Sequence, residues 1–349
     1  MNPTSCFSSY NSIEQFRTMM KDFKKAKQNP SFNIPDIVTF TGSVKLHGTN
    51  AGVCFNNKVG MFCQSRNNII NLTYDNQGFA FFVEKNKAKF EEFFKIISEK
   101  YNINLDENTI SIYGEWCGER IQKGVALTQL PKCFCIFDCK ISNIKDKNEN
   151  TSYWVDISFK SNDNCVISFP SERIYNIYDF DIYTIDINID EFEKAQEKLT
   201  ELTESVEKCC PFAKKLGIEG TGEGIVWRYW YNSNHRWIFK TKGEMHKVTK
   251  EKVLIPVDTE KIENINMFIE NTCTLNRFNQ AIDSLYKINP ESKLYSKSVE
   301  MKHCPDIINW IRDDILKEEM QTILDNNFNM RDIIPHLSKK VVKFMKNNL

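Results

Sequence analysis

Residues 37–66 read IVTFTGSVKLHGTNAGVCFNNKVGMFCQSR, and the pattern of this stretch decides the fold class. From Ile37 to Val44 apolar and β-branched residues alternate with small polar ones, as a strand requires. KLHGTN at 45–50 breaks the pattern, AGVCF at 51–55 resumes it, and Asn56-Asn57 supplies a turn before VGMFCQSR at 59–66. The stretch therefore predicts an antiparallel meander with Lys45 in a loop between strands.

The same reading extends in both directions. Upstream, Ser12 and Gln15 have the spacing of a capping box, predicting a helix over 12–27 that stops before Pro30. Downstream, 79–100 predicts one amphipathic helix, while TISIYGEWCG at 109–118 and KCFCIFDCKIS at 132–142 predict strands. Residues 141–151 are polar and predict a loop, and Asp190 with Glu193 opens a helix to about Cys209. GEGIVWRYWY and HRWIFKTKG form a hairpin around residues 232–234, where Trp227, Trp230 and Trp237 suit hairpin core better than base stacking. Beyond residue 250 the texture changes: IPVDTEKIENIN at 255–266 reads as a linker, Thr274 as a helix cap, Pro305 as a helix-opening proline, and 332–346 as a closing helix. The expected organisation is an α+β domain at 1–252 followed by a small all-helical domain at 253–349.

Composition narrows the function classes. With 349 residues and 41% hydrophobic content, the chain can bury a large core. Lys+Arg and Asp+Glu are both 46, so affinity for a polyanion must come from local basic patches rather than the overall field. The 12 cysteines do not follow a secretory leader, and Cys133, Cys135 and Cys139 lack the paired spacing of a zinc site. No apolar run reaches the length of a membrane span, and a reducing cytoplasm or nucleus is expected; the chain is also expected to be a monomer.

A K-x-x-G match carries little weight alone, since Lys214 and Lys240 begin such matches too. The ordered set carries more: KLHGTN at Lys45, SRN at Arg66, YGEWCG at Glu115, FCIFD at Phe137, GEGIVW at Glu223, and FKTKG with Lys240 and Lys242. Lys240 and Lys242 are two apart on a predicted strand and share a face. A lysine nucleophile must shed a proton that a free ammonium holds until about pH 10.4, and neighbouring cations favour that loss. Glu115 sits on an apolar strand, where a carboxylate is costly to bury without a partner.

At these positions the sequence resembles the covalent nucleotidyltransferase superfamily of ligases and capping enzymes. More narrowly, K-x-H-G-T-N looks like the RNA ligase 2 family. The resemblance implies an antiparallel-sheet nucleotidyltransferase core (ATP-grasp-like) and a reaction in which Lys45 takes AMP from ATP with Mg²⁺, for which Mn²⁺ can substitute. The partner implied is RNA with 5′-phosphate and 3′-hydroxyl ends, including a nicked duplex.

The resemblance implies that Lys45, Glu223, Lys240 and Lys242 are catalytic, with Glu223 the metal or ammonium contact, directly or through water. Leu46, His47, Gly48, Asn50, Arg66, Glu115 and Phe137 join them around the nucleotide, with Glu115 accepting from the ribose hydroxyls and Phe137 stacking on adenine. Thr49, Arg120 and Lys123 are read either as RNA or triphosphate contacts or as ordinary loop residues. Lys339, Lys340, Lys343 and Lys346 are read either as RNA phosphate contacts or as a basic helix end. Val44 departs from relatives that carry an acidic residue there. The rival readings are a GTP-dependent capping-type guanylyltransferase, disfavoured by His47, and a catalytically silent RNA-end-binding protein.

Overall fold

A computed structural model describes residues 2–146, 151–161, 164–165, 167–246, 261–288 and 299–348. Contacts divide the chain into two compact units, Met1–Gly243 and Glu244–Leu349. The boundary expected at 252/253 lies outside the described residues, as does the expected linker up to residue 260.

In the first unit the elements, in chain order, begin with β1 (Glu14–Gln15), α1 (Phe16–Lys27), β2 (Ile37–Lys45), β3 (Thr49–Asn56), β4 (Gly60–Ser65) and β5 (Ile69–Ile70). Then come α2 (Phe79–Lys85), α3 (Lys87–Tyr101), β6 (Asn108–Cys117), β7 (Cys133–Asn143), β8 (Tyr153–Val155), β9 (Lys160–Ser161) and β10 (Asn164–Cys165). The unit closes with β11 (Ile174–Asn176), β12 (Ile182–Asn188), α4 (Gln196–Lys208), α5 (Pro211–Lys215), β13 (Gly224–Trp230) and β14 (Arg236–Lys242).

Two large sheets form the unit, beside a two-stranded antiparallel pair of β9 and β10. One runs β1-β14-β13-β2-β12, antiparallel apart from the β1–β14 pair; the other runs β11-β7-β6-β3-β4-β5 with β8 on β7, antiparallel apart from β11–β7. The predicted meander is thus split. β2 belongs to the first sheet and β3 to the second, so residues 45–49 carry the chain across. Lys45 is the last residue of β2 rather than part of a loop.

The helices also differ from expectation in two places. Glu14 and Gln15 give their backbone to the edge of β14, opposite Phe239 and Lys240, so α1 starts at Phe16 and Gln15 caps it without a side-chain hydrogen bond. The capping box read from Ser12 does not form, because sheet pairing satisfies that backbone first. The helix expected over 79–100 is two helices separated at Asn86, whose Nδ2 donates to the Phe82 carbonyl at 2.9 Å. An asparagine bonding its own helix competes with the ladder that would continue it.

The second unit holds α6 (Lys261–Thr272), α7 (Leu275–Ile288), α8 (Cys304–Asp325) and α9 (Met330–Asn348). Thr274 Oγ1 accepts from the Arg277 amide at 3.3 Å, as its expected capping role requires. On α8, Ile307, Ile311, Ile315, Glu319 and Ile323 are buried, and on α9, Ile333, Leu337, Val341 and Met345. Lys340 is spent on Glu270 of α6, whereas Lys339, Lys343 and Lys346 are exposed.

The first sheet packs its outer face on α1 and on an aromatic cluster. Phe23 is fully buried, with its ring 4.4 Å from that of Trp237 and 6.0 Å from that of Phe40. Trp227 is fully buried too, and Gly42 leaves room for it: a Cβ there would stand 2.7 Å from the indole. We expect Phe23→Ala to destabilise the first unit by about 3–5 kcal/mol, the range for deleting a buried aromatic ring. Urea unfolding followed by tryptophan fluorescence checks this, and a loss below about 1 kcal/mol would contradict the packing described.

Candidate active site

The register of the first sheet brings the charges together. Gly224 stands opposite Lys45 on one side and Lys242 on the other. Alternation then aims Lys45, Lys240 and Lys242 at the same face. Gly224 has φ +153, and a Cβ would sit 2.1 Å from the Thr241 carbonyl oxygen, so only glycine lets the three strands close up.

Glu223, one residue earlier, is 3% exposed and sits among these groups. Its Oε2 is 2.6 Å from Lys45 Nζ and 3.2 Å from His47 Nδ1, and its Oε1 is 3.3 Å from Lys242 Nζ. Burial alone would raise its pKa, but Lys45, Lys242 and His47 outweigh burial and hold the carboxyl well below the ordinary range. Glu223 is therefore an anion at neutral pH. Lys240 is 9% exposed and lies one row along, opposite Val226.

The crossover from Lys45 to Thr49 is fixed on the second sheet. The Gly48 amide donates to Glu115 Oε1 at 2.8 Å, and the Gly48 carbonyl accepts from Gln122 Nε2 at 2.9 Å. A Cβ on Gly48 would stand 2.3 Å from the Trp116 carbonyl oxygen, so the loop lies against β6 as closely as backbone permits. Burial pushes the Glu115 carboxyl up to about 7, with Glu223 adding to the rise, while Lys45, the Gly48 amide and Arg66 pull the other way.

Asn50 pairs with Glu115 across β3 and β6, and its Oδ1 is buried without a hydrogen-bond partner among the described residues. Arg66 Nε is in the same condition. Phe137 is the extra residue of a bulge, since Tyr113 pairs with Asp138 and Gly114 with Ile136; its ring meets Tyr10 edge-on at 5.1 Å. Thr49 Oγ1 accepts from Asn76 Nδ2 at 3.3 Å. Leu46 and Val44 are buried in the core, which leaves only their backbone for a ligand. Arg120 and Lys123 are exposed, and Arg120 has φ +63.

The structure thus gathers Lys45, His47 and Lys242 around the Glu223 carboxylate and links them through Gly48 to Glu115. Sequence reading missed Gln122, which holds the loop, and Asn76, which orders Thr49. It also missed the buried Asp138 and Arg228, although charged residues on apolar strands are the signal used for Glu115. Among the described residues, no helix is long and apolar enough to cross a membrane, and no group of three His, Cys, Asp or Glu is set to hold a metal ion.

No curated protein sequence matches the chain. Among solved structures, Naegleria gruberi RNA ligase with pyrophosphate is 15% identical, with a TM-score of 0.39, covering 68% of this chain and 56% of that one. A lysine-to-alanine mutant of the Naegleria gruberi RNA ligase with ATP and Mn is 16% identical, with a TM-score of 0.41, covering 68% and 55%. The chain therefore spans little more than half the length of these proteins. The model of the RNA ligase family matches residues 38–242, well over half of the chain and all of the residues from Lys45 to Lys242 that surround Glu223. With that match, the chain belongs to the RNA ligase family.

Proposed function

We propose that the chain is an ATP-dependent RNA ligase that joins a 3′-hydroxyl to a 5′-phosphate, in RNA repair or nick sealing, through an AMP carried on Lys45. In the first step the Lys45 amine, as free base, forms a bond to the α-phosphorus of ATP. The α–β anhydride bond breaks, pyrophosphate leaves, and the nitrogen releases a proton. The N–P bond then breaks as the RNA 5′-phosphate oxygen takes the AMP, and the Lys45 nitrogen regains a proton as it leaves. Finally the 3′-hydroxyl attacks that 5′-phosphorus, loses its proton, and expels AMP.

The observation that carries this reading is the single buried carboxylate shared by Lys45 at 2.6 Å and Lys242 at 3.3 Å. It holds the nucleophilic amine beside a second ammonium able to neutralise charge on the phosphoryl oxygens. Lys240, on the same face, is read as a further phosphate contact. The partnerless Asn50 Oδ1 and Arg66 Nε fit a nucleotide's polar groups, because buried polar atoms ordinarily have partners. Glu115 would accept from the ribose, and Phe137 would stack on the base.

Mg²⁺ or Mn²⁺ would be held chiefly by the phosphates and water, with Glu223 as the protein's contribution, and would neutralise phosphate charge. Free thiols at buried positions such as Cys54, Cys117, Cys135 and Cys139 support a reducing compartment, the cytoplasm or nucleus, and we take the active form to be a monomer.

Incubation with labelled ATP or GTP should give a covalent adduct from ATP only, and Lys45→Ala should abolish it. Preferential labelling by GTP would make the chain a guanylyltransferase, and no adduct in wild type would make it a silent RNA-end-binding protein. Glu223→Ala should slow adduct formation by about 10²-fold or more, since it releases the amine and takes the carboxylate from two half-buried ammonium groups. Near-normal labelling in that variant would remove Glu223 from the chemistry.

Glu115 provides a pH test. Its folded pKa is raised to about 7 from an unfolded value near 4.5, so between these values the folded state holds the extra proton and stability falls as pH rises. Glu115→Gln, which mimics the protonated form, should gain Tm relative to wild type between pH 5 and pH 8. An equal Tm difference at both pH values would mean that the carboxyl is not raised.

A further inference from the structure

Two to six residues along the lysine-bearing strands from the row of Lys45, and on the facing strands β7 and β8, lies a second buried polar cluster that the proposed chemistry leaves unused. Asp138 of β7 is 2% exposed. Its Oδ1 accepts from Arg236 Nη1 of β14 at 2.6 Å, and its Oδ2 accepts from the Tyr10 hydroxyl. The Arg236 guanidinium lies 3.3 Å from the ring centre of Trp154 on β8. Arg228 of β13 is 4% exposed; burial works against its charge, but Asp138, Tyr178 and Tyr10 nearby favour it, and it donates through Nη1 to Ser43 Oγ of β2 at 2.8 Å.

The cluster therefore joins both sheets. Ser43, Arg228 and Arg236 belong to the sheet that carries the lysines, Asp138 and Trp154 to the sheet that carries Glu115. Residues 8–10 fill the space between: the Ser8 carbonyl accepts from Tyr113 Oη and Gln64 Nε2, each at 2.8 Å, and the Tyr10 ring meets Tyr113, Phe137 and Trp154 at 5.1, 5.1 and 5.8 Å. Ser43 is two residues from Lys45 on one strand face, and Asp138 adjoins Phe137. Charge-assisted hydrogen bonds inside a packed core are short, directional and hard to stretch.

We propose that Tyr10, Asp138, Arg228 and Arg236 form a brace that fixes the separation between the lysine-bearing sheet and the sheet bearing Glu115 and Phe137. These are positioning residues. By holding the two faces apart at one distance, they set how well a nucleotide can touch both at once. The proposal rests on the ligase reading only for the identity of what the cleft binds.

Tyr10→Phe keeps the ring packing and removes one of the two bonds to Asp138; Arg236→Gln removes the charged bond that crosses from β14 to β7. Each should raise the KM for ATP in adduct formation about tenfold while the maximal rate stays within about twofold. In the nucleotide-free protein, each should also speed amide exchange in both β7 and β14. A lower Tm with an unchanged KM would reduce the cluster to ordinary core and overturn the brace. Should wild type form no adduct, the ligase reading fails separately, and amide exchange alone then decides: unchanged exchange in both variants rejects the brace.

Discussion

One ionised carboxylate, almost wholly removed from water, sets the terms for the first unit. An isolated buried carboxylate costs several kcal/mol, and the cost is offset only when hydrogen-bonded partners of opposite charge surround it. Glu223 meets that condition with two ammonium groups and a histidine, all within 3.3 Å. Those partners come from β2, from the crossover after it and from β14, so the carboxylate is tolerable only when three strands and a loop are in register. The chemistry and the stability of the unit therefore share one geometric requirement. Two glycines make it attainable: Gly224 lets β14 close up and Gly48 lets the crossover lie flat on β6.

The crossover is also why two sheets rather than one serve the site. Lys45 closes β2 and Thr49 opens β3, so a handful of residues carries the chain from the sheet with the positive groups to the sheet with Glu115, Asn50 and Phe137. Placing the amine at the point of transfer lets it face groups from both sheets with little connecting chain to order. Glu115 sits near neutrality because it lies on the desolvated side of this junction, where its favourable partners only partly offset burial.

Much of this was legible in the residues, for identifiable reasons. Strands β2, β3, β4, β6, β7, β13 and β14 announce themselves by alternation and by turn residues, both local signals. Lys45, Glu223 and Lys242 were found through the order of short motifs. What escaped reading depends on contacts distant in sequence. The start of α1 was misjudged because Glu14 and Gln15 pair with β14, more than 200 residues on. The break at Asn86 is one side chain turning back on its own helix. β12 went unnoticed; it completes the edge of the first sheet against β2. Gln122 and Tyr10 act on partners that no local pattern reveals, 74 and 128 residues away.

The helical unit obeys a different geometry. Its buried positions on α8 and α9 recur every fourth residue, from Ile307 to Ile323 and from Ile333 to Met345. Four residues turn an α-helix through one revolution plus about 40°, so each stripe winds around its helix instead of running straight. Across α8 the winding amounts to roughly 160°, more than one straight neighbour can cover. That α8 packs on both α7 and α9, and α9 on α6, α7 and α8, follows from this drift. A stripe that winds this far suits helices with several neighbours, and it does not suit the straight seam of a two-stranded coiled coil.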